Sequence, residues 1–127
     1  MPTQSPHPEP DFTITADVYD AECGVWETRE GLADWLDANE LGSDVVRDVS
    51  TRACARWVTA PDGLPYFVAF VAPDCPAVKV CHECLHLGFF VLECKGVEVD
   101  AQNHEALAYL QDHLASQILA HYGRSDA

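Results

Sequence analysis

Between Phe12 and Tyr19 apolar and polar residues alternate (Phe-Thr-Ile-Thr-Ala-Asp-Val-Tyr), the period-two signature of a half-buried strand. The period then changes. Leu32, Trp35 and Leu36 recur at helical spacing between Thr28 and Gly42, with Asp and Glu on the other face, and predict an amphipathic helix of about three turns. Residues 43–51 carry no decisive period, and a further helical turn is the most the pattern supports. Ala53 to Ala60 and Tyr66 to Ala72 are rich in β-branched and aromatic side chains. Pro61-Asp62-Gly63-Leu64-Pro65 supplies turn chemistry between them, so a hairpin is predicted. Its second arm is apolar throughout, as a strand covered on both faces would be.

Two longer helices follow. The first opens near Asp74-Cys75-Pro76, where proline suits a first turn, and runs to about Cys94 before Lys95 and Gly96. The second opens near Asp100 and runs to about Tyr122, stopping at Gly123. The order β-α-β-β-α-α reads as an α+β domain, a small antiparallel sheet with three helices packed on it. A chain of 127 residues has room for one core, taken as residues 12–123. The segment before it, 1–11, carries Pro2, Pro6, Pro8 and Pro10 and is predicted to be a flexible or extended arm.

Composition changes this picture in one respect. Apolar residues at 48% and charged residues at 22% are ordinary, but 7 Lys and Arg against 21 Asp and Glu leave a net charge of −14. Such a surface repels phosphate backbones and anionic lipid head groups, which argues against direct nucleic-acid or membrane partners. It suits basic partners, nucleic-acid mimicry, or solubility alone. No apolar run approaches the roughly 20 residues that cross a bilayer, and the N-terminus has no apolar signal core. The expected location is the cytoplasm. In that setting Cys23, Cys54, Cys75, Cys81, Cys84 and Cys94 read as buried thiols rather than a disulfide framework.

The chemistry lies in the first long helix. His82-Glu83-Cys84-Leu85-His86 is H-E-x-x-H. Residues four apart lie one above the other on a helix, so both imidazoles can reach one zinc ion. Glu83 points about 100° round from His82, placed to hold a metal-bound water rather than the metal. Zinc lowers the pKa of such a water to roughly 7, and the carboxylate takes its proton as the water attacks a polarised carbonyl. A third ligand is expected from the following helix, where Asn103-His104-Glu105 offers two candidates. Leu107, Leu110, Leu114 and Ile118 form that helix's apolar stripe. His104 lies at its border and Glu105 nearer the polar side, so periodicity favours His104.

Taken together, His82-Glu83-Cys84-Leu85-His86 followed by Asn103-His104-Glu105-Ala106-Leu107-Ala108-Tyr109-Leu110 resembles the zincin metallopeptidases of the gluzincin type. It also resembles small phage or prophage proteins with a compact version of this arrangement. The resemblance covers about residues 66–122. It implies His82, His86 and Glu105 as zinc ligands, with His104 as the alternative third, and Glu83 as general base. It also implies a strand edge, Tyr66 to Ala72, that lines up a peptide substrate. Two departures stand out: His104 interrupts the Asn-Glu pair, and no second subdomain forms the far wall of a cleft.

Rival readings of the same residues are weaker. Cys81 and Cys84 form C-x-x-C, but within one helix Cys84 projects about 160° from both histidines, so the four side chains cannot converge on one ion. Those thiols, with Cys94, read as core. Glu93 shares the histidine face but lies two turns beyond His86. Tyr66, Tyr109, His113 and Tyr122 are all candidate oxyanion donors, and spacing does not choose among them. His113 and His121 read as surface or helix-end residues, and His7 as solvated. Trp26, Trp35 and Trp57 read as core.

The functional expectation is a zinc-dependent hydrolase acting on a peptide bond. The alternative is a non-catalytic zinc-binding protein, such as a virion component, assembly factor or acidic inhibitor, that works by binding another protein.

Overall fold

In the computed structural model, which describes residues 9–125, strand β1 (Phe12–Ala16) keeps its alternation, with Ile14 and Ala16 buried and Thr13 and Thr15 exposed. The strand is shorter than its pattern. Asp17–Tyr19 form a single 3-10 turn, closed by Asp20 in the left-handed region (φ 50°) with its N–H on the Asp17 carbonyl. The chain therefore reverses and returns as β2 (Ala21–Trp26), antiparallel to β1 with Phe12 opposite Val25. Of the arm expected over 1–11, residues 1–8 lie outside the described residues. Asp11 continues the β1–β2 ladder, its N–H on the Val25 carbonyl at 2.9 Å and its carboxylate accepting from Glu27 N–H at 2.7 Å.

Helix α1 (Arg29–Ala38) starts where Thr28 caps it, the hydroxyl accepting from Gly31 N–H at 3.0 Å. It buries Leu32, Trp35 and Leu36, the stripe read from the sequence, together with Ala33. Residues 43–51 contain one short helix, α2 (Asp44–Arg47), whose Arg47 reaches back to Asp34 and Asp37 on α1. The hairpin follows as β3 (Ala53–Thr59) and β4 (Pro65–Val71), with Ala55 opposite Ala69.

The sheet order is β1-β2-β4-β3, and β2 runs parallel to β4. The architecture is α+β as expected, but the sheet is mixed rather than antiparallel, and α2 makes the helices four. The reason is the unpredicted β2. It leaves the sheet through α1, and a parallel neighbour needs such a crossover. Strand β4 therefore sits in the centre, which explains why Phe67 to Val71 are buried on both faces. It is not the edge strand that the resemblance implied. On the side of the hairpin, that edge is β3.

Strand parity assigns the two faces. Trp26 and Tyr66 both touch Trp35, and Phe70 lies under Arg29, so these residues face α1. Residues one out of step face the other way: Phe67 packs on Trp57, Trp57 meets Phe90, and Phe12 stacks on His121 at 3.7 Å. That second face is covered by α3 (Ala77–Cys94) and α4 (His104–His121). Both long helices end in the same way. Gly96 and Gly123 adopt φ of 78° and 70°, and Val97 N–H returns to Leu92 O as Arg124 N–H does to Leu119 O. Helix α4 begins later than predicted because Asp100 to Asn103 fold as a turn, with the Asp100 carboxylate accepting from the N–H groups of Gln102 and Asn103. No helix among the described residues is long and apolar enough to cross a membrane.

Candidate metal centre

Helix α3 has two kinds of surface. Val80, Cys84, Leu87 and Val91 are fully buried against the sheet and α4, which fixes the rotation of the helix about its axis. That rotation turns His82 and His86 outward, with the side chain of His82 at 56% exposure, and leaves Glu83 at the boundary. The two imidazoles converge, with Nε2 of His82 3.3 Å from Nε2 of His86. The rings meet edge to face, and the His86 ring lies nearly parallel to that of Phe90 at 6.3 Å.

The separation is informative. Two imidazole nitrogens bound to one tetrahedral zinc at about 2.0–2.1 Å stand about 3.3 Å apart, so the pair is already spaced as two corners of such a site. Without a metal the same approach is a hydrogen bond, one neutral ring donating its Nε2–H to the other. A metal ion bound by both rings would take the place of that hydrogen bond, each ring turning its Nε2 lone pair toward the ion.

Glu83 and Ser43 are the buried polar residues among those described, and Glu83 is the one that carries charge. Burial of a carboxylate costs several kcal/mol unless it is paired. The partner is Lys79, one turn earlier on α3, with Nζ 3.0 Å from Oε2 of Glu83. The same oxygen lies 4.0 Å from Nε2 of His82, beside the histidine pair but not between its nitrogens. Glu83 and His86 both open onto a cavity of about 550 Å³. Its opposite wall is the β3 edge from Ala53 to Arg56, preceded by the segment from Asp48 to Thr51.

The expected third ligand does not join them. Among the described residues no three His, Cys, Asp or Glu side chains are grouped so as to hold a metal. Glu105 and His104 are exposed on the first turn of α4. The cause is the way the two helices meet. A side chain on Gly88 would come within 3.2 Å of Leu107 and Leu110, and Gln111 donates to the Cys81 carbonyl at 2.9 Å. Cys81, Cys84 and Gly88 thus form the face toward α4, about 100–160° round the helix from the histidines. Helix α4 covers the flank of α3 and leaves the His82–His86 face open. The pair therefore supplies two corners for a cation, and neither candidate on α4 supplies a third in this arrangement.

Other sequence candidates fall into place around the site. Cys84 is buried and Cys81 half-buried, both away from the histidines. His113 bonds the Thr15 carbonyl at 2.9 Å, and the Tyr122 hydroxyl donates to the Val71 carbonyl at 2.6 Å. Both are engaged in holding α4 to the sheet. Tyr109 is exposed, and Tyr66 packs on Trp35 across the sheet from α3. Besides Asp48, the charged cavity residue that the motif did not point to is Arg56. No local pattern marks it, because it reaches the site only through the pairing of β3 with β4. Comparison with protein-family models, with curated proteins and with solved structures gave no match to this chain.

Proposed function

We propose that the chain is a metal-dependent hydrolase whose site is the His82–His86 pair with the cavity between α3 and β3. The observation that carries this reading is the 3.3 Å approach of the two Nε2 atoms beside a buried carboxylate that faces the same cavity. Glu83 costs more in that position than a neutral residue would, even with Lys79 beside it. Zinc held by His82 and His86 would supply a Lewis acid for a carbonyl group and would acidify water. The residues of the chain do the rest. Glu83 accepts a proton at Oε2, and Lys79 holds that carboxylate in place and offsets its charge. The open β3 edge forms the far wall on which an extended peptide can lie.

A second reading, a zinc-binding protein that acts by protein contact alone, draws on the absence of a third donor. One variant separates the two. Glu83→Gln, assayed on a quenched peptide pool in the presence of zinc, should retain its metal by elemental analysis and lose roughly 10²-fold or more in rate. Full activity in that variant would remove the hydrolase reading. Metal lost in His82→Ala but kept in Glu105→Ala and His104→Ala would mean that the pair binds without α4. Metal lost in Glu105→Ala would mean that the first turn of α4 moves toward the pair on loading.

A further inference from the structure

We infer that Arg56 selects a substrate bearing an acidic side chain, by pairing with that carboxylate inside the cavity it shares with Glu83 and His86. The inference rests on the proposed hydrolase for what happens to the bound peptide, but not for the binding.

It begins from how the few cations are used. There are seven Lys and Arg against 21 Asp and Glu, so carboxylate partners are abundant. Arg47 holds Asp34 and Asp37, Arg52 holds Asp74, and Lys79 holds Glu83. Arg56 is half-buried and has no carboxylate partner among the described residues, although Asp48 and Glu83 line the same cavity. Its contact is a hydrogen bond from Nη1 to the Ala55 carbonyl at 2.8 Å.

The strand explains why it stands there. The Arg52 carbonyl accepts from Ala72 N–H, on the β4 side. Alternation along β3 then turns the carbonyls of Ala53 and Ala55 to the open edge. Both are covered by side chains, Ala53 by the Thr51 hydroxyl at 2.7 Å and Ala55 by Arg56. The guanidinium is thereby anchored at the lip of the cavity with most of its five N–H donors unspent, and those donors match the two oxygens of a carboxylate. A second guanidinium adds to the local positive field. Arg29 lies over Phe70 at 6.0 Å, its Nε buried without a partner, and Phe70 is paired in register with Cys54, a neighbour of Arg56 on the same face of β3. These two guanidiniums stand against the two carboxylates of the cavity, Asp48 and Glu83, the second of which Lys79 already offsets.

The test uses blocked peptides (acetylated and amidated) that differ only by Glu or Gln at one position, scanned along the peptide. Binding is measured by calorimetry on zinc-loaded Glu83→Gln protein, and turnover on the unaltered chain. We expect a preference for Glu on the order of tenfold at one position, collapsing toward unity in Arg56→Gln and partly kept in Arg56→Lys, whose melting temperature serves as the check on folding. Arg56-dependent binding of the Glu peptides without any cleavage would uphold the inference and remove the hydrolase reading. Cleavage with no Glu preference, an equal loss for both peptides in Arg56→Gln, or no binding of either peptide would overturn it.

Discussion

Cys23 and His82 illustrate what one side chain can be asked to do in each of two environments. Cys23 has no exposed surface, and burial, reinforced by the nearby Glu22 carboxylate, pushes its thiol from the ordinary 9.0 up to about 12. The sign of the stability effect follows. A thiol whose folded value lies above its unfolded one contributes its full stability below pH 9, and that contribution is lost as the pH rises from 9 toward 12. Thermal melts at pH 8 and pH 11 should therefore show a lower melting temperature at the higher pH, and Cys23→Ala should reduce the difference. Thiol labelling of the native protein at pH 8 gives an independent reading. Half-buried Cys81 and Cys94 should react first, and buried Cys23 only on unfolding. Simultaneous reaction of all six thiols would contradict the burial that underlies this account. The histidine motif works in the opposite way, since its usefulness depends on exposure, and the sequence identified it because i and i+4 is a purely local relation.

At the scale of elements, Gly88 controls where α4 can lie. A Cβ there would stand 3.2 Å from both Leu107 Cδ1 and Leu110 Cβ. The leucine tip can move, but a Cβ moves only with its backbone, so a larger residue must push the helices apart. Overpacking of this kind costs about 1–3 kcal/mol, against a gain of up to about 1 kcal/mol when a helical glycine is replaced. Gly88→Val, which is also β-branched, should lower the midpoint of urea unfolding, while Gly88→Ala should lie close to neutral. A valine variant as stable as the parent would mean that the helices are less tightly apposed. The same contact explains what the sequence could not reveal. Periodicity located α1, α3, α4 and the β3–β4 hairpin, because each is written in nearest-neighbour terms. Strand β2 was missed although Ala21, Cys23 and Val25 alternate with Glu22 and Gly24, because its Ala and Gly have low strand propensity, and its parallel pairing with β4 has no local mark at all. Glu105 was drawn toward the histidines by the resemblance, whereas periodicity favoured His104. Where a ligand on one helix points relative to another depends on which small residues let the helices meet, here Gly88, and that is a property of the pair.

For the molecule as a whole, the net charge of −14 sets the dominant long-range force. Apart from Lys79 with the buried Glu83, the ion pairs among the described residues that oppose it lie on the surface: Arg47 with Asp34 and Asp37, and Arg52 with Asp74, all with substantially exposed side chains. Exposed pairs of this kind are worth about 0–1 kcal/mol each. Salt screens both the pairs and the general repulsion, so the sign of its effect depends on which is larger. Repulsion among so many uncompensated carboxylates acts over distances comparable with the roughly 30 Å Debye length at 0.01 M salt, and is largely removed when that length falls to about 3 Å at 1 M. Contact pairs at about 3 Å are screened less completely. Raising sodium chloride from 0.01 M to 0.5 M should therefore raise the melting temperature, most steeply at the low end of the range. Above a few tenths molar, sulfate should continue to stabilise by exclusion from the protein surface, whereas chloride should level off. Acidification from pH 7 toward the isoelectric point near 4.4 should shrink the salt effect as carboxylates lose their charge. A melting temperature that falls with added chloride at pH 7 would show that the Arg47 and Arg52 pairs outweigh the repulsion, and would reverse this order of forces.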